Sequence, residues 1–187
     1  MIRHLTALAT TLLVAAGQSA EAADWKIDAA TSRLEFAAAF EKTVAPGVFR
    51  EFDARMRFDV VKPAEGRLDV AIIMKSADMN NADMNKAIGG NEWFDFARFP
   101  QAEFHAADIS RTDAGRYLAR GLLRVKGVQQ PVEVPFSWSE SGDAARLEGE
   151  FIVKRGAFGI GTGEWAVTNV IGADVRVKFS VRMRKNG

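Results

Sequence analysis

The sequence predicts an all-β fold of eight antiparallel strands, with one short helix between the third and fourth strands. Three observations support this prediction. Apolar and polar residues alternate in eight separate segments, which is the pattern of strands with one dry and one wet face. Turn-forming residues separate most of these segments, and only one segment departs from the two-residue period. Such strands suit a closed antiparallel barrel or a two-sheet sandwich.

The eight alternating segments cover most of the chain beyond residue 30. The last of them is the clearest, because DVRVKFSVRMRK places Val175, Val177 and Phe179 on one face and arginine and lysine on the other. The same period runs through residues 31–41, 50–60, 67–76, 102–109, 116–127, 131–140, 145–155 and 174–185. We expect every apolar face to point into one shared interior.

The joints between the segments contain turn and helix signals. Glycine, proline and aspartate cluster at residues 62–66, 112–115, 126–131 and 140–144. The sequence NNADMNKAIGG, residues 80–90, predicts a short helix, since an asparagine can cap its start and glycines can end it.

The first residues predict a cleaved signal peptide, residues 1–22, ahead of a single domain, residues 23–187. MIRH is positively charged, LTALATTLLVAAG is apolar, and Ala20 and Ala22 have the spacing that signal peptidase recognises. The alternative is a buried amphipathic N-terminal helix. The signal-peptide interpretation predicts a soluble protein exported to the periplasm.

Composition excludes several kinds of site. The chain has no cysteine, so neither disulfides nor thiolate metal sites are available. Its 25 basic and 24 acidic residues nearly cancel without forming a basic block, which argues against a nucleic-acid partner. Only one histidine, His105, follows the leader, and its outward position on a strand predicts a surface residue. We therefore expect no metal site.

The stretch VKRGAFGIGTGEW, residues 153–165, raises the question of a nucleotide-binding loop. Such a loop lies between a strand and a helix, with lysine and a hydroxyl residue after the glycines. Here no such pair follows, and the next regular pattern is a strand. We therefore expect Gly159, Gly161 and Gly163 to provide positive backbone angles in a long connection between the last two strands.

Five stretches in order resemble one known family: WKIDAATSRLEF, PGVFREFDARMRFD, FDFARFPQAEFHAADI, GLLRVKGVQQPVEVPF, and KRGAFGIG followed by GADVRVKFSV. From Trp25 to about Arg184 the chain resembles the YceI family of periplasmic polyisoprenoid-binding, lipocalin-like proteins. The resemblance implies an extended eight-stranded antiparallel β-barrel. It also implies a pore that holds a long apolar chain, such as a polyisoprenoid, an isoprenoid quinone tail or a fatty-acid derivative.

The inward positions mix large and small residues, which is compatible with such a pore. We expect space beside the small residues Ala38, Ala54, Ala119, Gly121 and Gly149. The predicted lipid-binding residues that line the pore are Phe36, Ala38, Phe40, Phe52, Met56, Phe58, Ile72, Phe104, Leu123, Phe136, Trp138, Phe151, Val177 and Phe179. The alternative is that these aromatic residues form an ordinary packed core.

Few polar residues suggest chemistry. Arg155 is the most suggestive, as a contact for a ligand head group or as a contact that holds the loop, and Phe158 and Trp165 are candidates for the same role. Glu92, Asp95 and Glu164 could form a carboxylate pair, but nothing in the sequence distinguishes them from other loop carboxylates.

The sequence thus predicts a non-enzymatic carrier, with no cofactor other than a bound isoprenoid-type lipid. Its partners would be a long-chain lipid and, transiently, a membrane or a donor or acceptor protein, and it would be a monomer or a homodimer. Two alternatives stay open: a lipid-modifying enzyme on the same barrel, and a solid-core stress-response or interaction module without a ligand.

Overall fold

The structure is a computed structural model that describes residues 22–41 and 43–186. The predicted signal peptide therefore lies outside the described residues, apart from Ala22. The described residues form one sheet and one α-helix. The elements are β1 (Ala23–Ile27), β2 (Arg33–Phe40), β3 (Thr43–Phe49), β4 (Phe52–Phe58), β5 (Arg67–Ile73), β6 (Ala77–Asp78), α1 (Ala82–Ile88), β7 (Gln101–Arg111), β8 (Tyr117–Val125), β9 (Val128–Ser141), β10 (Ala144–Lys154) and β11 (Ile171–Lys185).

The sheet closes into an antiparallel barrel of eight strands, as the sequence predicts. The closed ring runs β1-β4-β5-β7-β8-β9-β10-β11, and β11 returns to pair with β1. Trp25 of β1 lies opposite Lys185 of β11 at this junction. Every neighbouring pair in this ring is antiparallel, and the β1–β11 pairing closes it.

Eleven strands fill eight positions because three positions each hold two short strands end to end. β1 and β2 share one edge of β11, β3 continues into β4, and β5 continues into β6. The prediction of eight strands therefore missed β1, β3 and β6. β6 has only two residues, and Pro46 and Gly47 weaken the strand signal of β3.

Helix α1 confirms the predicted helix between the third and fourth predicted strands. The Asn81 side chain accepts a hydrogen bond from the Met84 backbone N–H at 3.0 Å, and Gly89 is the C-cap. The helix lies at the end of the barrel where β8 and β10 finish, which we call the upper end. Among the described residues, no helix has both the length and the apolar composition that a membrane crossing requires.

The connection between β10 and β11, residues 155–170, also lies at the upper end. It contains two short 3-10 turns and no α-helix. Gly159, Gly161 and Gly163 have φ angles of 64°, 72° and 62°, so the predicted use of these glycines is confirmed. A Cβ at Gly161 would collide with the Arg155 guanidinium, so this glycine also makes room for the arginine.

The Arg155 side chain holds this connection together through hydrogen bonds to its backbone. Its side chain is 3% exposed and donates to six backbone carbonyls, so each of its five N–H groups has an acceptor. The acceptors are the carbonyl oxygens of Ile160, Gly161, Trp165, Val167, Ile171 and Gly172. Burial lowers the pKa of the guanidinium. The carbonyl dipoles and the Trp93 ring, 5.8 Å away, surround the charge in place of a carboxylate.

His105 lies on the outer face of β7, as the sequence predicts, and its side chain is exposed. Its Nδ1 is 2.8 Å from Asp69 Oδ1 on β5, and its Nε2 is 3.7 Å from Glu103 Oε2. The hydrogen bond to Asp69 is the main reason that the pKa of His105 is raised above its ordinary value.

We expect Arg155→Met to lower the free energy of unfolding by roughly 3 kcal/mol or more, because buried carbonyls lose their donors. Arg155→Lys should recover part of this loss, since an ammonium group supplies three donors in place of five. Urea denaturation measures both changes. Lys154→Met is the matched control, because the Lys154 side chain is exposed and pairs only with Asp174. A stability of Arg155→Met close to that of the control would contradict this role.

We expect the His105–Asp69 pair to make the folded protein slightly more stable on the acid side of neutrality. Because the folded-state pKa is raised, this stabilisation is complete below about pH 6.5, the ordinary pKa of histidine, and is lost as the pH rises through the raised value. Its size should be under about 1 kcal/mol, since the pair is exposed.

NMR titration of the His105 ring tests this expectation. Asp69→Asn should move the titration midpoint down toward the ordinary value, while Asp53→Asn on neighbouring β4, facing the same side of the sheet, should leave it nearly unchanged. An unshifted midpoint in the Asp69 variant would show that the pair does not control the pKa of His105.

Candidate functional site

An apolar cavity of about 350 Å³ occupies the upper half of the barrel. Its wall is built from β2, β3, β5, β7, β8, β10 and β11, together with α1 and the connection at residues 155–170. The wall residues are aliphatic, aromatic or methionine, with Arg155 the one charged side chain that the described residues contribute. Since the Arg155 donors are already paired, the cavity offers a surface for hydrocarbon rather than for polar groups.

Two phenylalanine rings that were predicted to line the pore belong to the buried core and not to the cavity wall. Phe151 and Val177 face each other in its wall, and the next inward pair below them is Gly149 and Phe179. A Cβ at Gly149 would lie 2.6 Å from the Phe179 ring, so the ring occupies the notch that the glycine leaves. The prediction that Gly149 provides open space is therefore wrong.

The second ring makes the same contact on the other side of the barrel. Phe104 lies one inward step below Ala102, which lines the cavity. Its ring packs against Gly121 of β8, where a Cβ would lie 2.8 Å from a ring carbon. The predicted space at Gly121 is thus filled as well, and Phe104 and Phe179 are only 6% and 8% exposed.

The lower half of the barrel is a packed aromatic core. The ring centroids of Trp25 and Trp138 are 5.1 Å apart, those of Phe58 and Tyr117 are 5.0 Å apart, and those of Tyr117 and Phe136 are 5.4 Å apart. The first two pairs are edge-to-face and the third is stacked, and aromatic contacts of both kinds add to the stability from burial. The predicted space beside Ala54 and Ala119 is also filled, since both belong to this buried core.

The structure divides the fourteen predicted lining residues into two equal groups. Seven lie in the cavity wall: Phe36, Ala38, Phe40, Ile72, Leu123, Phe151 and Val177. Seven lie outside the wall and belong to the packed core or pack against it: Phe52, Met56, Phe58, Phe104, Phe136, Trp138 and Phe179. Alternation identifies the inner face but not the height at which space remains. Contact of the first group with a lipid stays a prediction.

Several wall residues come from segments without a strand pattern, and sequence reasoning missed them. They are Met79, Met84, Ala87, Ile88, Trp93, Phe94 and Ile160. The spacing of Met84, Ala87 and Ile88 gives α1 one apolar face, and this signal could have placed the helix against the cavity. The residues after the helix have no regular period, so their contribution depends on the folded structure.

The three candidate contacts for a head group, Arg155, Phe158 and Trp165, all lie in the cavity wall. Arg155 serves as the loop contact, since all its N–H groups bind backbone carbonyls. Trp165 packs beside Trp93 with their ring centroids 5.8 Å apart. These side chains therefore form the upper wall of the cavity and present no free charge to it.

A break in the hydrogen bonding of the barrel wall gives the cavity a candidate entrance. β3 pairs with β6 only through Val48 and Phe49, and within residues 43–78 no strand continues this pairing toward the upper end. Met84 of α1 lines the cavity, and Ala45 of β3 also lines it on the part of that strand beyond the β6 pairing. The hydrogen-bonded ladder of the wall is therefore interrupted here.

The described part of the chain contains no group of three or more histidine, cysteine, aspartate or glutamate residues arranged to hold a metal ion. The candidate carboxylates Glu92, Asp95 and Glu164 lie outside the cavity wall. Asp95 is 3.5 Å from the Arg98 guanidinium, and Glu92 lies beside Gly163. The arrangement thus brings no acid–base pair to the cavity.

Comparison of the chain with known proteins identifies relatives that share about a third of their residues with it over the matched region. A UPF0312 protein of Yersinia pseudotuberculosis is 31% identical over 144 residues, which are 75% of this chain and 74% of that protein. A UPF0312 protein of Photorhabdus laumondii is 31% identical over 86 residues, and this match spans 44% of that protein.

Solved structures show the same barrel. BcnA of Burkholderia cenocepacia has a TM-score of 0.81 and 31% identity, covering 83% of this chain and 98% of that chain. A polyisoprenoid binding domain from Saccharophagus degradans, implicated in plant cell wall breakdown, has a TM-score of 0.69, 14% identity and coverage of 87% and 98%. At 14% identity the similarity concerns the fold alone.

The family model of the YceI-like domain matches residues 25–183, which is almost the whole of the barrel. The match begins at Trp25, in the strand that closes the ring, and ends at Met183, in the strand that pairs with it. The family model therefore covers the closed barrel and the cavity within it. The chain belongs to the YceI-like family.

Proposed function

We propose that this protein is a periplasmic binding or carrier protein that holds a long apolar chain in the upper cavity. The ligand would be a polyisoprenoid, an isoprenoid quinone or a fatty-acid derivative, and no chemistry is performed on it. The observation that carries the proposal is an apolar cavity of about 350 Å³ whose one charged wall residue is already saturated. The similarly folded domain from Saccharophagus degradans is a polyisoprenoid binding domain, which is consistent with this ligand class.

The hydrophobic effect supplies enough energy for useful affinity. Each CH₂ group removed from water contributes about 0.8 kcal/mol. Ten such groups therefore contribute about 8 kcal/mol before the cost of immobilising the chain, and a longer enclosed chain offsets part of that cost. About fifteen enclosed groups contribute about 12 kcal/mol, which leaves about 8 kcal/mol, or micromolar affinity, after an immobilisation cost of about 4 kcal/mol.

The two alternatives receive less support. A lipid-modifying enzyme needs a reactive polar group beside the enclosed chain, but Glu92, Asp95 and Glu164 lie outside the cavity wall. A solid-core module fits only the lower half of the barrel, where the aromatic rings pack together. The carrier proposal uses the upper half, where the cavity lies.

Export and transfer complete the proposal. The periplasmic location rests on the predicted signal peptide, residues 1–22. A buried ligand needs a membrane or a donor or acceptor protein for loading and release, and the gap beside β3 is the proposed route. The monomeric or homodimeric state and the absence of a cofactor other than lipid also stay predictions.

We expect the mature protein purified from a periplasmic fraction to carry an apolar lipid, detected by organic extraction and mass spectrometry. Ala38→Trp should lower the amount of lipid per protein several-fold, because the indole fills the cavity. Ala39→Trp is the matched control, since the neighbouring Ala39 is exposed on the outer face and stays out of the cavity wall.

Thermal unfolding of both variants establishes that they are folded before their lipid content is compared. Two results would contradict the proposal. One is wild-type protein without any lipid, and the other is equal lipid retention by Ala38→Trp and Ala39→Trp.

A further inference from the structure

One face of the barrel exterior carries a concentration of basic side chains. They point outward from the lower half of β5, β4, β1, β11 and β10, which are five neighbouring strands of the ring. Adjacent strands lie about 4.8 Å apart, so the face is about 19 Å across. We call it the cationic face, and its residues are Lys26, Arg55, Arg57, Arg67, Arg146, Arg182 and Arg184.

Strand register places like charges directly opposite each other on the cationic face. Four cross-strand neighbours are cation–cation pairs: Arg57–Arg67, Arg146–Arg182, Lys26–Arg55 and Lys26–Arg184. Side chains that lie directly opposite have Cβ atoms about 5 Å apart, and like charges at this separation destabilise a sheet. A bound anion would remove the repulsion, so the arrangement favours an anionic partner.

Carboxylates of the chain neutralise only part of this charge. Three of the seven cations form ion pairs, which are Arg55–Asp53, Arg146–Glu148 and Arg184–Asp28. Two more carboxylates lie on the face, and of these Asp69 binds His105. Within residues 22–41 and 43–186, the structure shows no ion pair for the other four cations, Lys26, Arg57, Arg67 and Arg182. These four are therefore available to an external anion.

Two exposed valines adjoin the cationic face in the turn between β4 and β5. Val60 is 41% exposed and Val61 is 79% exposed. The turn joins the strand that carries Arg57 to the strand that carries Arg67. Cations beside exposed aliphatic groups suit an anionic bilayer, because the charges meet the head groups and the aliphatic groups enter the interface. A soluble polyanion offers no apolar layer for the valines.

The cationic face and the interruption in the barrel wall lie on the same side of the molecule. β3 continues into β4, and β5 continues into β6, so the interrupted β3–β6 pairing lies above the β4–β5 pair. A bilayer against this side would meet the Arg57–Arg67 pair, the two valines and the candidate entrance together.

We propose that the cationic face, together with Val60 and Val61, docks this protein onto a bilayer that contains anionic lipids. The inference rests on the proposed function for the purpose of the contact, which is loading and release. The docking itself requires no ligand in the cavity. The contact lies on the side of β4 and β5, rather than over the upper end of the barrel.

Co-sedimentation of the delipidated, full mature protein with lipid vesicles tests the charge requirement. Vesicles of equal parts phosphatidylglycerol and phosphatidylcholine should bind the protein, vesicles of phosphatidylcholine alone should bind it much less, and added salt should weaken binding. Arg57→Gln combined with Arg67→Gln should lower the partition coefficient roughly twenty-fivefold, since each cation near an anionic surface contributes about fivefold.

A matched control removes the same charge from the opposite side of the ring. Arg120→Gln combined with Arg124→Gln changes two exposed arginines of β8, which lies four positions from β1. This variant should change the partition coefficient by less than about threefold, because β8 faces away from the bilayer. Equal losses in the two double variants would show that net charge alone drives binding, and would overturn the docking face.

Val61→Ser tests the apolar part of the contact. It should lower binding to the phosphatidylglycerol vesicles several-fold and leave the salt dependence unchanged, since it removes aliphatic surface and no charge. Leu122→Ser is the control, because Leu122 is 45% exposed on β8. Dextran sulfate, a soluble polyanion, is the competing partner. If dextran sulfate binds as tightly as the vesicles and Val61→Ser changes neither affinity, the face recognises polyanions and the membrane proposal is overturned.

Lipid extraction from the same protein before delipidation separates this inference from the proposed function. Protein that carries an apolar lipid but does not bind the anionic vesicles overturns the docking face and leaves the carrier proposal intact. Protein that binds the vesicles through Arg57, Arg67 and Val61 but carries no lipid supports the docking face and contradicts the carrier proposal.

Discussion

Closure of the barrel between β1 and β11 is the constraint on which the rest of the structure depends. Three residue pairs join β1 to β11. Because this pairing closes the ring, the inward side chains of all its strands face one shared interior. In an eight-stranded barrel this interior is just wide enough to be filled by side chains or to hold one slender ligand. The sizes of a few inward residues therefore decide whether a given layer is core or cavity.

The lower layers are filled because large rings lie opposite small residues. Phe104 packs over Gly121, and Phe179 packs over Gly149. Each glycine leaves space beside its backbone, and a phenylalanine ring from the adjacent strand fills that space. In the upper layers β3 pairs with β6 only through Val48 and Phe49, and an apolar cavity remains. The cavity is thus the part of the interior that the available side chains do not fill.

The upper end also shows how an apolar site tolerates a buried charge. Arg155 draws the carbonyls of the connection at residues 155–170 toward one point, and the positive φ angles of Gly159, Gly161 and Gly163 allow the chain to turn around it. The guanidinium and the carbonyl groups satisfy one another. The surface that remains for the cavity is therefore apolar, even though an arginine contributes to it.

The sequence by itself determined eight of the strands, an asparagine cap for the helix and the use of glycine in the long connection, because these depend on local period and local backbone angles. It also identified the inward faces of the strands. Only the tertiary structure decided which inward residues line a cavity. Phe151 and Phe179 both alternate with polar residues in the sequence, yet Phe151 lies in the cavity wall and Phe179 lies in the packed core. Their difference arises from the residues opposite them on neighbouring strands, and strand register becomes defined only when the barrel closes.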